Sequence, residues 1–331
     1  MKSLLLSTLL LALCITSHSQ QVPSKPTPRK TVAVLIFDGV QIIDYTGPFE
    51  VFGFAGYRVF TVAQTSDPIT TAMEMKVIPA HTVETSPQAD IIVVPGGRVP
   101  HDFPSDHPLV EWIKKQSANS TYLLSVCNGA FLLGATGLLD GKKATTTAGM
   151  IDHLQMFISN VSPVYDQRYV HDGKVVSAGG LSAGIDAALY IVSQIDSEGR
   201  AQQVANNMEY NWDKKGEYSR TRLVDFQLSK LLDFNPPLRG KTIVYEGDYH
   251  RWSAEYEVRR SESLEQFYGQ FESMANARGW SMETEEKTLA SAASSWALSD
   301  HNGIRWELAA EFKVLEPPDT YRASFRLVRG N

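Results

Sequence analysis

Residues 122–147 read YLLSVCNGAFLLGATGLLDGKKATTT, and this stretch decides the fold of the larger part of the chain. The five residues that end at Val126 are mostly apolar, as in a strand buried on both faces of a sheet. Small and apolar residues follow Cys127 at once and predict a helix. We therefore predict a sharp strand-to-helix turn, a nucleophile elbow, with Cys127 at its apex and with Gly129 and Ala130 permitting a strained backbone.

Further apolar runs of the same kind flank this stretch, and helical patterns separate them. Strands that alternate with helices predict an α/β fold with a parallel sheet covered by helices on both faces. Pro48 fits the first turn of the first helix. The predicted strands are residues 31–37, 57–63, 89–97 and 120–127, the predicted helices are residues 47–55 and 107–118, and a strand, glycine turn and helix close the unit at residues 175–195.

From about residue 240 the apolar residues alternate strictly with polar ones. This pattern at residues 304–314 and 321–328 predicts half-buried antiparallel strands, with turns at Asn302-Gly303 and Pro317-Pro318-Asp319. Between Ser261 and Trp280 the spacing is helical instead. We predict an α/β domain at residues 31–212, a connector at 213–239 with a helix at 221–232, and a small α+β domain with antiparallel strands at 240–331.

Composition and the N-terminus limit the function classes. The net charge of −6, without a long basic run, argues against a nucleic-acid partner. Lys2 and the apolar residues 4–15 resemble a signal peptide, which we expect to be cleaved after Ser19, leaving an exported, periplasmic or secreted protein with no membrane partner. Residues 20–30 then form a polar, Pro-rich spacer. Lipid attachment at Cys14 is the alternative, disfavoured because Leu13 is bulky.

Cleavage of the signal leaves Cys127 as the remaining cysteine, so the mature chain cannot form an internal disulfide. In parallel sheets, ligands bind beyond the carboxyl ends of the strands, which is where Cys127 stands. We expect the following helix to lower the pKa of its thiol and the backbone N–H of Asn128 to face a developing oxyanion. A cysteine that merely fills the core is the alternative reading.

Five stretches, in this order along residues 31–212, carry a family resemblance: FDGVQIIDYTGPFEVFG, IIVVPGG, VCNGAFLLGATGLLDGKKATTT, SAGGLSAGIDAALYIV and VANNMEY. Together they resemble the ThiJ/PfpI superfamily, and within it the isonitrile hydratase branch, whose domain also forms the sensor part of certain AraC-type regulators. The resemblance implies a flavodoxin-like sandwich similar to class I glutamine amidotransferases, commonly a homodimer, with a cysteine on a nucleophile elbow.

The resemblance also implies partners for the cysteine. Asp44 stands where the family supplies a carboxyl group from the loop after the first strand, and a carboxyl beside a thiolate should have a raised pKa. Gly96 and Gly97 correspond to the second half of an oxyanion site, and Gly179 and Gly180 to a loop beside it. Taken without the resemblance, Asp44 reads as a capping residue and the glycines read as turns.

Some positions depart from the family pattern. Thr147 stands where relatives often have a histidine, and Asn128 where hydratase relatives often have threonine. His153, His101 and His107 read as structural or surface histidines, so histidine-dependent chemistry is disfavoured. Ser182 reads as a helix cap, with Asp186 in the first turn. No dinucleotide, phosphate-loop or metal-ligand spacing occurs, and we predict neither cofactor nor metal.

These observations lead to two candidate functions, an enzyme and a binding or sensing module. In the first, Cys127 attacks an electrophilic carbon of a small-molecule substrate, Asp44 supplies a proton, and water releases the adduct, as in a hydro-lyase or hydrolase. In the second, the chain is a ligand-binding or redox-sensing module that signals through oxidation of Cys127 and the C-terminal domain.

Overall fold

The computed structural model describes residues 29–212, 214, 231, 240–247, 250–300, 303–316 and 319–330. The predicted signal peptide, nearly all of the spacer and of the connector with its helix, and the turn residues Asn302, Pro317 and Pro318 lie outside the described residues. No helix among the described residues is long and apolar enough to cross a bilayer.

The first unit alternates strands with helices, as predicted. Its strands are β1 Thr31–Leu35, β2 Arg58–Ala63, β3 Ile69–Thr70, β4 Lys76–Val77, β5 His81–Thr82, β6 Ile91–Val94, β7 Tyr122–Val126, β8 Lys143–Ala144, β9 Ser162–Pro163, β10 Tyr169–Asp172 and β11 Val175–Ala178. Its helices are α1 Ile42–Phe54, α2 Pro108–Ser117, α3 Gly129–Gly134, α4 Ile151–Phe157, α5 Ser182–Ile195 and α6 Glu198–Asn207.

Within the described residues, seven of these strands form one sheet in the order β10-β11-β7-β6-β1-β2-β5. Every neighbouring pair is parallel except β10 with β11. Side chains alternate between two cores, with Val32 and Val34 packing in the core that holds α1, α5 and α6, and Ala33 and Leu35 in the core that holds α2, α3 and α4. The predicted flavodoxin-like sandwich is therefore confirmed.

The first helix differs from the prediction. It begins at Ile42 rather than at residue 47, so Pro48 lies inside α1 instead of in its first turn. A proline there removes one helical N–H donor. Burial of Asp44 and Tyr45 accompanies the earlier start. As a result Asp44 lies on the first turn of a helix, and not on the loop that the sequence predicted.

The second unit is antiparallel, as predicted, and larger than the two strands that the alternation identified. Within the described residues, six strands form one sheet in the order β12-β13-β17-β16-β15-β14. The aromatic side chains of one helix, α7, pack with one sheet face in a third hydrophobic core. The elements are β12 Gly240–Gly247, β13 Arg251–Arg259, α7 Leu264–Ala277, β14 Ser281–Lys287, β15 Ser291–Ser299, β16 Arg305–Leu315 and β17 Thr320–Arg329.

Candidate active site

Four adjacent strands of the parallel sheet, β11, β7, β6 and β1, end at the same edge. The chain segments that leave these carboxyl ends carry the residues that the sequence predicted for the site. Asp44 follows β1, Gly96 follows β6, Cys127 follows β7 and Gly180 follows β11. The topology therefore brings together side chains that are up to about 140 residues apart in the sequence.

Cys127 occupies a strained turn between β7 and α3, as predicted, with φ of +57°. Its N–H is shared between the carbonyl oxygens of Ala178 and Gly179, at 3.1 Å each, and its own carbonyl accepts a hydrogen bond from the Thr146 hydroxyl at 2.6 Å. These bonds hold a backbone conformation that a non-glycine residue rarely adopts. The cysteine is half-buried, so it is not sealed in the core.

The helix after Cys127 lies unusually close to the neighbouring strand. A Cβ added to Gly129 would lie 2.3 Å from the carbonyl oxygen of Val94 and 2.6 Å from that of Pro95. Only glycine permits this approach without movement of the backbone. The elbow therefore depends on Gly129 for its position against the end of β6.

Asp44 is fully buried beside the thiol. Its Oδ1 accepts a hydrogen bond from the Leu181 N–H at 2.9 Å. Its Oδ2 faces the Cys127 thiol and the Gly96 amide, and no donor among the described residues reaches it at good geometry. One carboxylate oxygen is thus fixed and the other is directed at the sulfur.

Burial raises the pKa of Asp44 from 3.8 to about 6, because desolvation disfavours the charged carboxylate. The Leu181 amide, the Cys127 thiol and the Gly96 amide each lower the pKa and offset part of this rise. The direction of the shift agrees with the prediction from the sequence, but its cause is burial rather than the charge of a neighbouring thiolate. A carboxyl group with this pKa can exchange a proton near neutral pH.

The thiol differs from the prediction. Burial, and then the charge of Asp44, raise the pKa of Cys127 to about 12, whereas the Asn128 amide and the Thr147 hydroxyl lower it only in part. The expectation of a lowered thiol pKa is therefore wrong, because the Asn128 amide at the start of α3 lowers it by less than burial and Asp44 raise it. The resting group is a thiol, and it needs a base to become a nucleophile.

The predicted oxyanion donors are only partly available. The backbone N–H of Asn128 lies within hydrogen-bonding reach of the Cys127 sulfur, and its role toward an oxyanion stays a prediction. The Gly97 N–H instead donates to Oδ1 of Asn128 at 2.8 Å, and the Gly96 N–H points to Asp44. The prediction that Gly97 offers its N–H to a substrate is therefore wrong, because Asn128 accepts that N–H; the corresponding role of Gly96 stays a prediction.

The predicted glycine loop lies beside the sulfur. A Cβ on Gly180 would lie 3.4 Å from Sγ of Cys127 and 3.5 Å from Oγ1 of Thr147. Gly179 donates to the carbonyl of Arg168 at 2.9 Å and accepts from the Cys127 N–H. Glycine backbone thus lies against the thiol on two sides of the site.

Comparison with known proteins identifies the larger domain. Residues 30–194 match the DJ-1/PfpI family. The isonitrile hydratase of Pseudomonas putida is 36% identical over 180 residues, which are 54% of this chain and 78% of the relative. The chain belongs to the DJ-1/PfpI family. A crystal structure of a ThiJ/PfpI family protein from Pseudomonas syringae superimposes with a TM-score of 0.52 at 28% identity, covering 59% of this chain and 84% of the other.

A regulator is also similar to this DJ-1/PfpI chain. An HTH-type transcriptional regulator of Pseudomonas aeruginosa is 28% identical over 149 residues, which are 45% of this chain and 44% of the regulator. The similarity therefore covers less than half of either protein. It agrees with the predicted relation between this domain and transcriptional regulators.

An ion pair that the sequence did not predict lies at the start of α5, directly after the glycine loop. Arg168 donates from Nε to Oδ2 of Asp186 at 2.6 Å and from Nη2 to Oγ of Ser182 at 3.0 Å. Ser182 is the first residue of α5 rather than its cap, and the buried Asp186 lies beyond the first turn. An aspartate among apolar residues on a helix was the signal for a buried ion pair.

The histidines lie apart from the chemistry. His107 caps α2, where its Nδ1 accepts a hydrogen bond from the Leu109 N–H at 3.2 Å. His101 packs against His153, with ring centroids 4.5 Å apart, and against the rings of Phe131 and Phe157. No histidine among the described residues influences the pKa of Cys127. The site of this DJ-1/PfpI domain is therefore a thiol, a carboxyl group and a hydroxyl group.

Proposed function

We propose that this DJ-1/PfpI protein is a cysteine-dependent hydro-lyase or hydrolase that acts on a small molecule, with isonitriles as the first substrate class. The observation that carries the proposal is the buried Asp44 carboxyl, whose pKa is about 6, directed at the Cys127 thiol. The isonitrile hydratase relative supports the choice of substrate. Cys127 is the proposed nucleophile and Asp44 the proposed acid and base.

The two raised pKa values suggest the order of proton transfers. Asp44 is largely a carboxylate at neutral pH and takes the proton of Cys127 as the sulfur attacks. Once Asp44 is neutral, its repulsion of the thiolate disappears, which favours the attack. The Asn128 amide and the Thr147 hydroxyl then stabilise the developing charge on sulfur.

With an isonitrile, the sulfur bonds to the terminal carbon and protonated Asp44 transfers its proton to the same carbon, which gives a covalent thioimidate. Water then adds to this carbon, with Asp44 accepting one of its protons. Transfer of that proton to nitrogen and cleavage of the carbon–sulfur bond release an N-substituted formamide. The sulfur recovers the remaining proton, so that the net reaction adds one water to the isonitrile.

A second candidate is a sensor, which the similarity to the transcriptional regulator favours. Oxidation by peroxide proceeds through the thiolate, however, and burial raises the pKa of Cys127 to about 12. A cysteine protected in this way reacts slowly with peroxide unless a neighbouring base acts on it. The enzyme is the better supported candidate, because the isonitrile hydratase relative is 36% identical and the regulator 28% identical.

Turnover of isonitriles, amides and α-dicarbonyls by the wild type, Cys127→Ala and Asp44→Asn tests the proposal. Asp90→Asn is the matched control, because Asp90 accepts hydrogen bonds from Thr31 at the opposite end of the sheet. We expect the wild type to turn over one of these substrate classes. Turnover should fall by at least about a hundredfold in the two site variants and stay unchanged in the control. Absence of turnover, together with rapid oxidation of Cys127 by dilute peroxide, would favour the sensor.

We also propose that the chain is exported and acts as a homodimer. The sequence features at Lys2 and residues 4–15 support export, and membership of the family supports the dimer. Expression with the natural N-terminus in a bacterium should give a periplasmic protein that begins at Gln20. Light scattering on that protein should give twice the mass of the mature chain, and a monomeric mass would refute the dimer.

A further inference from the structure

The side chain of Asn128 makes three hydrogen bonds to a single loop. Its Oδ1 accepts from the Gly97 N–H at 2.8 Å, and its Nδ2 donates to the carbonyl oxygens of Gly97 at 2.8 Å and Val99 at 3.1 Å. The side chain is buried, with 6% of the residue exposed. Such an amide, with its acceptor and both donors engaged, can change its contacts only if the loop moves.

The loop that Asn128 holds ends β6 and forms one wall of the site. A Cβ on Gly96 would lie 2.4 Å from Oδ1 of Asn128, 2.8 Å from Cβ of Cys127 and 2.9 Å from Oδ2 of Asp44. The Gly96 peptide is therefore enclosed by all three side chains. On its other side, the Gly96 carbonyl accepts a hydrogen bond from the Gln41 N–H at 2.9 Å, directly before α1.

We propose that Asn128 is a positioning residue, whose side-chain amide fixes the Gly96 peptide against the Cys127–Asp44 pair and so sets how readily the pair loses its proton. The Gly96 N–H faces the carboxyl of Asp44, and Asn128 is the residue that joins this loop to the elbow. The inference rests on the proposed use of the pair in catalysis. It assigns to the side chain a role different from substrate or oxyanion binding, which its burial excludes.

The direction of the effect follows from the groups that act on Asp44. These are the Cys127 thiol and the N–H groups of Leu181 and Gly96, all of which lower the pKa of the carboxyl against the larger effect of burial. When the side-chain hydrogen bonds of Asn128 are removed, the Gly96 N–H is free to move away, and its dipole no longer favours the carboxylate. The pair should then lose its proton at higher pH.

The rate at which iodoacetamide alkylates Cys127, measured by peptide mass from pH 4.5 to 9, reports when the pair loses its proton. The measurement needs no substrate. In the wild type one proton is shared by the pair, so we expect the rate to rise to a plateau with an inflection at about 6, the pKa of Asp44. The test variant is Asn128→Leu, because the leucine side chain has a shape similar to that of asparagine and cannot form hydrogen bonds. Asn128→Ser is a smaller second variant.

Gln116→Met is the matched control. Gln116 is also a buried amide that clamps a loop, since its Oε1 accepts from the Ala89 N–H at 3.1 Å and its Nε2 donates to the Pro87 carbonyl at 3.2 Å. That loop precedes β6 at the opposite end of the sheet. Loss of Gln116 should therefore lower stability without changing the site.

In the Asn128 variants we expect the inflection to move upward by about half a pH unit or more, with faster hydrogen exchange in residues 95–100. The control should keep the wild-type inflection and show faster exchange in residues 87–89. An unchanged inflection in the Asn128 variants, with the loop exchanging faster, would overturn the proposal. A wild-type rate that climbs steadily to pH 9 without an inflection would overturn the pairing of Cys127 with Asp44 itself, and the proposed function with it.

Discussion

At the scale of single residues, the site keeps a carboxyl group where it is poorly solvated. Asp44 has no exposed surface, and its pKa is about 6 against an ordinary value of 3.8. A buried acid whose charged form is disfavoured destabilises the fold at neutral pH. Function and stability therefore oppose each other at Asp44.

The pH dependence of unfolding tests this opposition. The folded state binds the Asp44 proton more tightly than the unfolded state, so its contribution to stability is fully present below about pH 4 and is lost as pH rises through 6. The difference corresponds to about 3 kcal/mol at most. We expect Asp44→Asn to be more stable than the wild type at pH 7.5 and to lose this advantage at pH 4.5 in urea titrations. An advantage that is equal at both pH values would contradict the shift.

Gly96→Ala tests the enclosure of the sulfur. The new methyl group would lie within 3 Å of Asn128, Cys127 and Asp44, so we expect loss of both turnover and alkylation of Cys127. Gly53→Ala is the control, because a Cβ there meets nothing within 4 Å. That change on the exposed face of α1 should stabilise the protein by about 1 kcal/mol. Normal reactivity of Gly96→Ala would show that the site is more open than the structure indicates.

At the scale of elements, each turn or helix end depends on a few fixed contacts. The elbow between β7 and α3 needs the close approach at Gly129, and α5 begins after Leu181, which has φ of +56° and donates its N–H to Asp44. In the C-terminal domain, α7 begins with a capping box in which Ser263 and Gln266 exchange hydrogen bonds. Such a box satisfies two N–H groups that the first helical turn leaves unpaired.

The capping box predicts a local effect on stability. Ser263→Ala should lower the free energy of unfolding of the C-terminal domain by about 1 kcal/mol, because the Gln266 N–H loses its acceptor. Ser261→Ala, in the exposed segment before the helix, should have little effect. Tryptophan fluorescence during urea denaturation reports on this domain when Trp112 and Trp212 of the first unit are replaced by Phe, since Trp280, Trp296 and Trp306 are buried in its core. Equal effects of the two changes would contradict the cap.

At the scale of the whole molecule, the described residues form three hydrophobic cores. Two of these cores cover the faces of the parallel sheet in the first unit, and the third lies between α7 and the antiparallel sheet of the second unit. The described residues that contact Cys127 belong to the first unit. Within the described part of the chain, the second unit therefore contributes no residue to the site.

This separation predicts that residues 29–214 fold alone. We expect this fragment to keep the inflection at about 6 in the alkylation of Cys127, and residues 215–330, which include the core residue Leu231, to unfold cooperatively as a separate fragment. Differential scanning calorimetry and the alkylation profile measure the two outcomes. A fragment that folds but has lost the inflection would show that the C-terminal domain shapes the site.

The sequence by itself determined the features that local pattern encodes. Buried strands of the parallel sheet, the alternation of β16 and β17, and the elbow at Cys127 all follow from residue spacing over short stretches. The resemblance to relatives added Asp44. The rise in the pKa of this carboxyl comes from its burial, which only the folded structure shows.

Only the tertiary structure decided which N–H groups are occupied and how strongly the thiol holds its proton. The hydrogen bond from Leu181 to Asp44 spans 137 residues, and those from Asn128 reach back about 30 residues to Gly97 and Val99. Desolvation of Cys127 likewise arises from segments that follow four different strands. Such effects depend on distances in space, and a local pattern in the chain carries no record of those distances.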